Sequence, residues 1–230
     1  MPNPPAPGPD SSADYRTRFL QLALQVQALR FGTFTLKSGR VSPYFFNAGQ
    51  FHTGAALNAL AACYADALDA AQLDFDLLFG PAYKGIPLAT ALGCEYARRG
   101  RDLPIAFNRK QAKTHGEGGQ LIGAPLQGRR VLIVDDVITA GTAVREAIGQ
   151  IVAAGGSVAG LAIALDRQEA IDPDASRQCA ADRLASEHGI AVVAVAGLDD
   201  LLAHVRHDAA LQEHAARLQD YRRRFGSQRT

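Results

Sequence analysis

The chain predicts an α/β fold: a central, mostly parallel sheet flanked by helices, with an N-terminal cap. Three observations lead there. From about residue 55 to 196, strand-length apolar runs alternate with helical patterns, an order that builds a parallel sheet with helices on both faces. One of these runs, Val131 to Val134, is apolar without alternation, as a strand covered on both sides should be. The segment before residue 52 lies outside this repeat and holds a helix followed by irregular, aromatic-rich sequence.

Phe19, Leu22, Val26 and Leu29 recur at helical spacing, which predicts an amphipathic helix over about 13–30. Phe31 to Phe51 is rich in Gly, Ser, Pro and aromatics and reads as strands and loops. Leu57, Leu60, Tyr64 and Leu68 mark the next helix, and Phe75 to Phe79 the next strand. A helix over about 85–99, a short strand from Pro104 to Phe107 and a loop from Asn108 to Gly123 follow. After strand 131–134 come a helix over about 141–154, a strand over 157–165, a helix over about 175–188 and a strand from Ile190 to Ala196. Two helices close the chain. No linker divides it, so its 230 residues predict one large domain.

Apolar residues make up 47% and charged residues 20%, in the range of a soluble globular protein. A net charge of +1 argues against a nucleic-acid or acidic-membrane partner. No run of about 18 apolar residues predicts a membrane span. Cys63, Cys94 and Cys179 are widely spaced and make no disulfide framework or metal-ligand pattern, which fits a reducing compartment. Cys63 and Cys94 sit in Ala-rich helical patterns and read as small core residues. The start of the chain, with five prolines before Asp10, reads as a disordered tail rather than a signal peptide.

The chemistry concentrates where strands should end. Asp135 and Asp136 follow the apolar strand, and Val137, Ile138, Thr139, Ala140, Gly141, Thr142 and Ala143 lead into a helix. Ligands of open α/β sheets bind beyond the carboxyl ends of the strands. A helix N-terminus offers free N–H groups to a phosphate. Two carboxylates suit ribose hydroxyls or a hydrated metal. The segment Gly80-Pro-Ala-Tyr-Lys-Gly follows another strand, and Lys84 adds a charge to its Gly-containing turn, as a pyrophosphate cradle would need. Arg109, Lys110, Lys113 and His115 crowd four potential cations into seven residues beside Gly116, Gly118 and Gly119. That composition suits a lid over a polyanionic leaving group. Tyr44, Phe45 and Phe46 can wall a flat-ring pocket or fill a hairpin core, and Lys37 adds a charge nearby. Arg167, just after strand 157–165, can hold a carboxylate bidentately or pair with a neighbouring acid.

Together these segments resemble the type I phosphoribosyltransferases. The string of strand, Asp-Asp, small-residue loop and helix resembles their phosphoribosyl pyrophosphate (PRPP) signature. The strings Phe34-Thr-Leu-Lys-Ser-Gly-Arg40, Ser42-Pro-Tyr-Phe-Phe-Asn-Ala-Gly49 and Lys113-Thr-His-Gly-Glu-Gly-Gly119 narrow the resemblance to bacterial orotate phosphoribosyltransferases. It spans about residues 15–226, including Tyr221-Arg-Arg-Arg-Phe-Gly226. One departure is Ala-Ile-Asp-Pro-Asp after Glu169, where the family carries a basic, Gly-containing stretch; the shape of that loop is left open.

The resemblance implies the type I phosphoribosyltransferase fold: a Pro-rich tail over 1–12, a hood over about 13–51, a core over about 52–200, and closing helices to 230. It implies Mg²⁺-dependent transfer of ribosyl 5-phosphate from PRPP to orotate, giving orotidine 5′-monophosphate and pyrophosphate in cytoplasmic pyrimidine biosynthesis. Lys37, Tyr83, Lys84, Arg109, Lys110, Lys113 and His115 would contact PRPP, mostly its pyrophosphate, and Asp135 to Ala143 its ribose and 5-phosphate. Arg109, Lys110, Lys113, His115, Asp135 and Asp136 would carry catalysis, the two aspartates reaching the metal through water. The backbone of Phe45 and Phe46, with Thr139 and Arg167, would hold orotate. A homodimer sharing the lid across subunits is implied, with no nucleic-acid or membrane partner. A phosphoribosyltransferase for a purine would have no use for Arg167. A PRPP-sensing regulator would need a basic face or a DNA-binding module.

Overall fold

The structure, a computed structural model, describes residues 14–36, 38–113, 119–172 and 176–228. The tail expected over 1–12 lies outside them.

Helix α1 (Tyr15–Gln25) starts where the Asp14 carboxylate accepts the Arg16 and Thr17 N–H groups. It ends before the expected residue 30, because Gln27 adopts a positive φ of 59° and turns the chain into β1 (Leu29–Thr35). β1 pairs antiparallel with β2 (Val41–Phe46), Leu29 opposite Phe46. Helix α2 (Gly54–Ala70) is capped by Thr53, whose hydroxyl accepts from Ala56 N–H at 3.2 Å. Next come β3 (Leu77–Gly80), α3 (Gly85–Arg98), β4 (Ile105–Lys113), β5 (Gly119–Gly123), β6 (Arg130–Asp135), α4 (Thr142–Ala153) and β7 (Ser157–Asp166). A small hairpin, β8 (Ala170–Asp172) and β9 (Ser176–Cys179), precedes α5 (Ala180–His188). The chain continues through β10 (Ala191–Gly197), α6 (Leu198–His207) and α7 (Ala215–Phe225).

The main sheet runs β10-β7-β6-β3-β4-β5, parallel throughout except for the antiparallel β4–β5 pair. Side chains alternate between its two faces with period two. Leu78, Leu132, Val134, Ala162 and Ala164 enter a core with α1, α2, α3, α6 and α7. Leu77, Phe79, Val131, Ile133, Leu161 and Ile163 enter a second core with α4 and α5. Both faces are therefore covered, which is why β6 carries no polar residue from Val131 to Val134.

Three expectations need correction. Asn108 to Gly123 is not a plain loop: β4 and β5 form a hairpin, with Asn108 opposite Leu121 and Lys113 opposite Gly119. Its strands read as loop because pairing satisfies the backbone while the side chains stay polar. The helix expected from about 175 begins at Ala180, after the β8–β9 hairpin. Cys94 is exposed, since α3 turns Leu92, Gly93, Glu95 and Tyr96 inward and leaves Cys94 off that stripe; Cys63 is buried as expected. Among the described residues no helix is long and apolar enough to cross a membrane.

Candidate active site

The parallel register puts the strand ends together. Gly80 of β3 lies opposite Phe107 of β4, Asp135 of β6 opposite Ile163 of β7, and Asp166 of β7 opposite Gly197 of β10. The segments after Gly80, Phe107, Asp135 and Asp166 therefore emerge at one edge, where an open α/β sheet binds its ligands.

Asp135 and Asp136 sit at the end of β6. Tyr64 of α2 donates its hydroxyl to the Asp135 carbonyl at 2.7 Å, and the Asp135 carboxylate accepts from Asp136 N–H at 2.9 Å. Burial, reinforced by the Asp136 charge, raises the Asp135 carboxyl well above the ordinary carboxylate range. Asp136 is buried, and its Oδ2 accepts from Lys84 Nζ at 2.6 Å. Among the described residues no group of three or more His, Cys, Asp or Glu side chains converges on a point. Two adjacent carboxylates without a cage fit a magnesium ion, which keeps several waters and takes further ligands from substrate oxygens.

Beyond Asp136 the chain loops into α4. Val137 packs toward one core and Ile138 toward the other, anchoring the segment on both sides of the sheet. Thr139 and Ala140 are exposed. Gly141 adopts a left-handed φ of 74° and begins α4 with no side-chain cap. The N–H groups of the first turn thus point to whatever anion lies there. Arg145 braces this loop, donating Nη1 to the Ala140 carbonyl at 2.8 Å while its Nε and Nη2 pair with Glu187 of α5 at 3.1 and 2.7 Å.

The cations cluster along β3 and β4. Gly85 opens α3 against the motif strand, and a Cβ there would stand 2.6 Å from the Val134 carbonyl oxygen. Tyr83 is 67% exposed, and Lys110 Nζ stands 5.3 Å from its ring centre. Arg109 Nη1 is buried without a hydrogen-bond partner among the described residues, a cationic donor suited to an anion. Asn108 fixes the turn: its Oδ1 accepts from Ala82 N–H at 2.7 Å and its Nδ2 donates to Gln150 at 2.8 Å. Lys113 ends β4, though only its backbone is described. Lys37 and His115 lie outside the described residues.

Arg167 leaves the end of β7 and stacks over Tyr44, its Cζ 4.5 Å from the ring centre. Tyr44 and Phe46 are core residues, while Phe45 is half-buried and lies at a tilt to Phe34, ring centres 5.4 Å apart. Of the two uses considered for these aromatics, Tyr44 and Phe46 serve the core with their side chains. The alternative considered for Arg167 is also present: its Nε and Nη2 lie 2.9 and 2.5 Å from Glu169 Oε1.

Sequence reasoning missed Tyr64, Asn108, Arg145 and Glu169. Asn108 carried a signal, a buried amide directly after an apolar strand. The other three act through contacts between residues far apart in the chain, or through a turn whose shape the sequence left open.

Residues 48–195 match the Phosphoribosyl transferase domain family. The chain is 67% identical to an orotate phosphoribosyltransferase of Xanthomonas campestris pv. campestris (strain B100), over 94% of this chain and 99% of that protein. It is 63% identical to the orotate phosphoribosyltransferase of Stenotrophomonas maltophilia (strain K279a), over 93% and 97% of the two chains. The crystal structure of the orotate phosphoribosyltransferase of Francisella tularensis superimposes with a TM-score of 0.82 at 39% identity, over 91% of this chain and 99% of that one. The sheet edge with its paired aspartates and the likeness over nearly the whole length agree: this chain belongs to the phosphoribosyltransferase family and, within it, to the orotate phosphoribosyltransferases.

Proposed function

We propose that this protein transfers the ribosyl 5-phosphate group from PRPP to orotate, in the presence of Mg²⁺, releasing pyrophosphate. The observation that carries the reading is one sheet edge that joins the Asp135–Asp136 pair, the uncapped start of α4, and Lys84, Arg109 and Lys110. The 5-phosphate sits on the N–H groups after Gly141, with Thr139 to Ala143 around it. The ribose hydroxyls donate to Asp135 and Asp136. Tyr83, Lys84, Arg109 and Lys110, with Lys37, Lys113 and His115, face the pyrophosphate. Orotate lies against the backbone of Phe45 and Phe46, with Thr139 and its carboxylate on Arg167.

The orotate ring nitrogen gives up its N–H proton to solvent and bonds to C1 of the ribose as the bond from C1 to pyrophosphate breaks, and the leaving group departs with the electron pair. The sugar passes through an oxocarbenium-like state, as in glycoside chemistry. Side-chain nucleophiles are unnecessary; what the chain supplies is position and positive charge for the leaving oxygens. When bound, Mg²⁺ would supply Lewis acidity for the leaving group, and Asp135 and Asp136 would hold it through water.

The reading extends to a homodimer. The β4–β5 hairpin runs past the last β3 pairing, at Phe107, to Lys113, and in the dimer its cations complete a site shared between the two subunits. The three free cysteines support a reducing, cytoplasmic setting.

The first experiment follows orotate absorbance with protein and PRPP, with and without Mg²⁺. A metal-dependent decline supports the reaction. No decline, with PRPP still protecting the fold against heat, rejects the base. Mixing inactive Lys110→Ala and Asp135→Asn proteins tests sharing: random exchange in a dimer restores about a quarter of the sites. No recovery under exchange conditions rejects it.

A further inference from the structure

Arg167 is held by more than its own backbone. Both its Nε and Nη2 donate to one oxygen, Glu169 Oε1, at 2.9 and 2.5 Å. Nη2 also lies 3.4 Å from Ser42 Oγ, and the Tyr44 ring covers one face of the guanidinium. Both partners are nearly buried, with side chains 15% and 13% exposed. Glu169 is fixed in turn. Its Oε1 accepts the Tyr221 hydroxyl of α7 at 2.9 Å, and its Oε2 lies 3.8 Å from Arg40 Nη1. Its backbone bridges to Gly226, and the neighbouring Gln168 carbonyl accepts from Ser227 N–H at 2.7 Å. None of the described contacts engages Nη1 of Arg167.

We propose that Glu169, itself held by the C-terminal helix through Tyr221, is a positioning residue that fixes the Arg167 guanidinium so that Nη1 presents its two N–H groups to the carboxylate of the base. The inference rests on the reading that Arg167 receives that carboxylate. Glu169 occupies one edge of the guanidinium and Tyr44 one face, which leaves the Nη1 corner. A guanidinium recognises a carboxylate by direction as well as charge. A freely rotating Arg167 would have to be ordered at each binding event, and fixing it beforehand removes that cost.

Charge and position predict opposite signs here. Glu169 is negative and close to Arg167, so on charge alone its removal strengthens the pull on a substrate carboxylate. On positioning, its removal releases the guanidinium and weakens base binding. The test is steady-state kinetics in both substrates for Glu169→Ala, Glu169→Gln, Tyr221→Phe and Arg167→Ala. We expect Glu169→Ala to raise KM for orotate about tenfold, with KM for PRPP unchanged. Glu169→Gln keeps an acceptor oxygen in place without the charge, and returns KM for orotate to the wild-type value or below. Tyr221→Phe, which removes one hydrogen bond and keeps the ring, raises it about two- to threefold and remains informative if Glu169→Ala fails to fold.

An orotate KM that stays the same or falls in Glu169→Ala overturns the proposal, a fall meaning that Glu169 competes with substrate for Arg167. An equal rise in the Ala and Gln variants also overturns it. Arg167→Ala separates the two levels: if it leaves KM for orotate unchanged, the base-binding reading fails; if it raises KM while Glu169→Ala and Tyr221→Phe do not, only the positioning role fails.

Discussion

Lys84 Nζ stands 2.6 Å from Asp136 Oδ2, tying the turn after β3 to the end of β6. The Lys84 side chain is 57% exposed and that of Asp136 only 8%. Water screens an exposed ammonium, so the pair contributes about 1 kcal/mol or less to stability. For a polyanion arriving at this edge, the same ammonium is a near and available charge. Lys84→Ala should therefore shift the melting temperature little and raise KM for PRPP about tenfold or more. Paired melting and kinetic measurements check this; a large melting shift with unchanged KM would make Lys84 a structural residue.

Asn108 joins three elements through one amide, and replacing it strands the Ala82 N–H it now accepts from. A buried donor left unpaired costs about 1–3 kcal/mol. Asn108→Ala should lower the unfolding free energy obtained from urea titration by about 1–3 kcal/mol and weaken PRPP binding through the loosened turn. Urea titration with and without PRPP separates the two effects, since loss of stability alone leaves the stabilisation by PRPP intact.

The cations of β4 are proposed to act on the leaving group rather than on the base. Lys110→Ala, and equally Lys113→Ala, should cut turnover by about 10²–10³, by analogy with losing one oxyanion-hole donor. Orotate affinity, measured by direct binding, should hardly change. Weakened orotate binding with intact turnover would refute a lid role.

Glu95 gives a pH prediction away from the site. Its side chain is 1% exposed and pairs with Arg98 and Arg99 at 2.7 Å each. Hydrogen bonds from Arg98, opposed by burial and aided by Arg99, hold its carboxyl at about 2, below its ordinary 4.5. A carboxyl depressed in the folded state stabilises the fold fully above its unfolded value and loses that contribution as pH falls toward its folded value. Melting temperature should drop as pH is lowered from 4.5 toward 2, and Glu95→Gln should flatten that part of the profile. An unchanged slope in Glu95→Gln would assign the acid sensitivity to other carboxylates.

Much of this was legible in the sequence because parallel sheets write themselves plainly. The run Val131 to Val134 is buried on both faces and ends at Asp135, so strand, edge and carboxylates could be read together. Gly141 marked the turn into α4, and the turn does need a positive φ there. The β4–β5 hairpin was less legible, because its polar side chains imitate a loop while its backbone pairs. Glu169 was hidden for another reason. Its partners Arg40 and Tyr221 lie far away in the chain, and only the folded path of α7 brings Tyr221 within 2.9 Å.

The hairpin changes when the cationic segment loses its freedom. Asn108 pairs with Leu121 and Lys113 with Gly119 in a ladder continuous with the catalytic sheet, and these pairs bracket the irregular stretch that carries Arg109 and Lys110. Fixing the backbone of one residue costs about 1–2 kcal/mol in conformational entropy. For these residues that loss falls at folding rather than at substrate binding, so more of the attraction between the β4 cations and the pyrophosphate remains to stabilise the transition state.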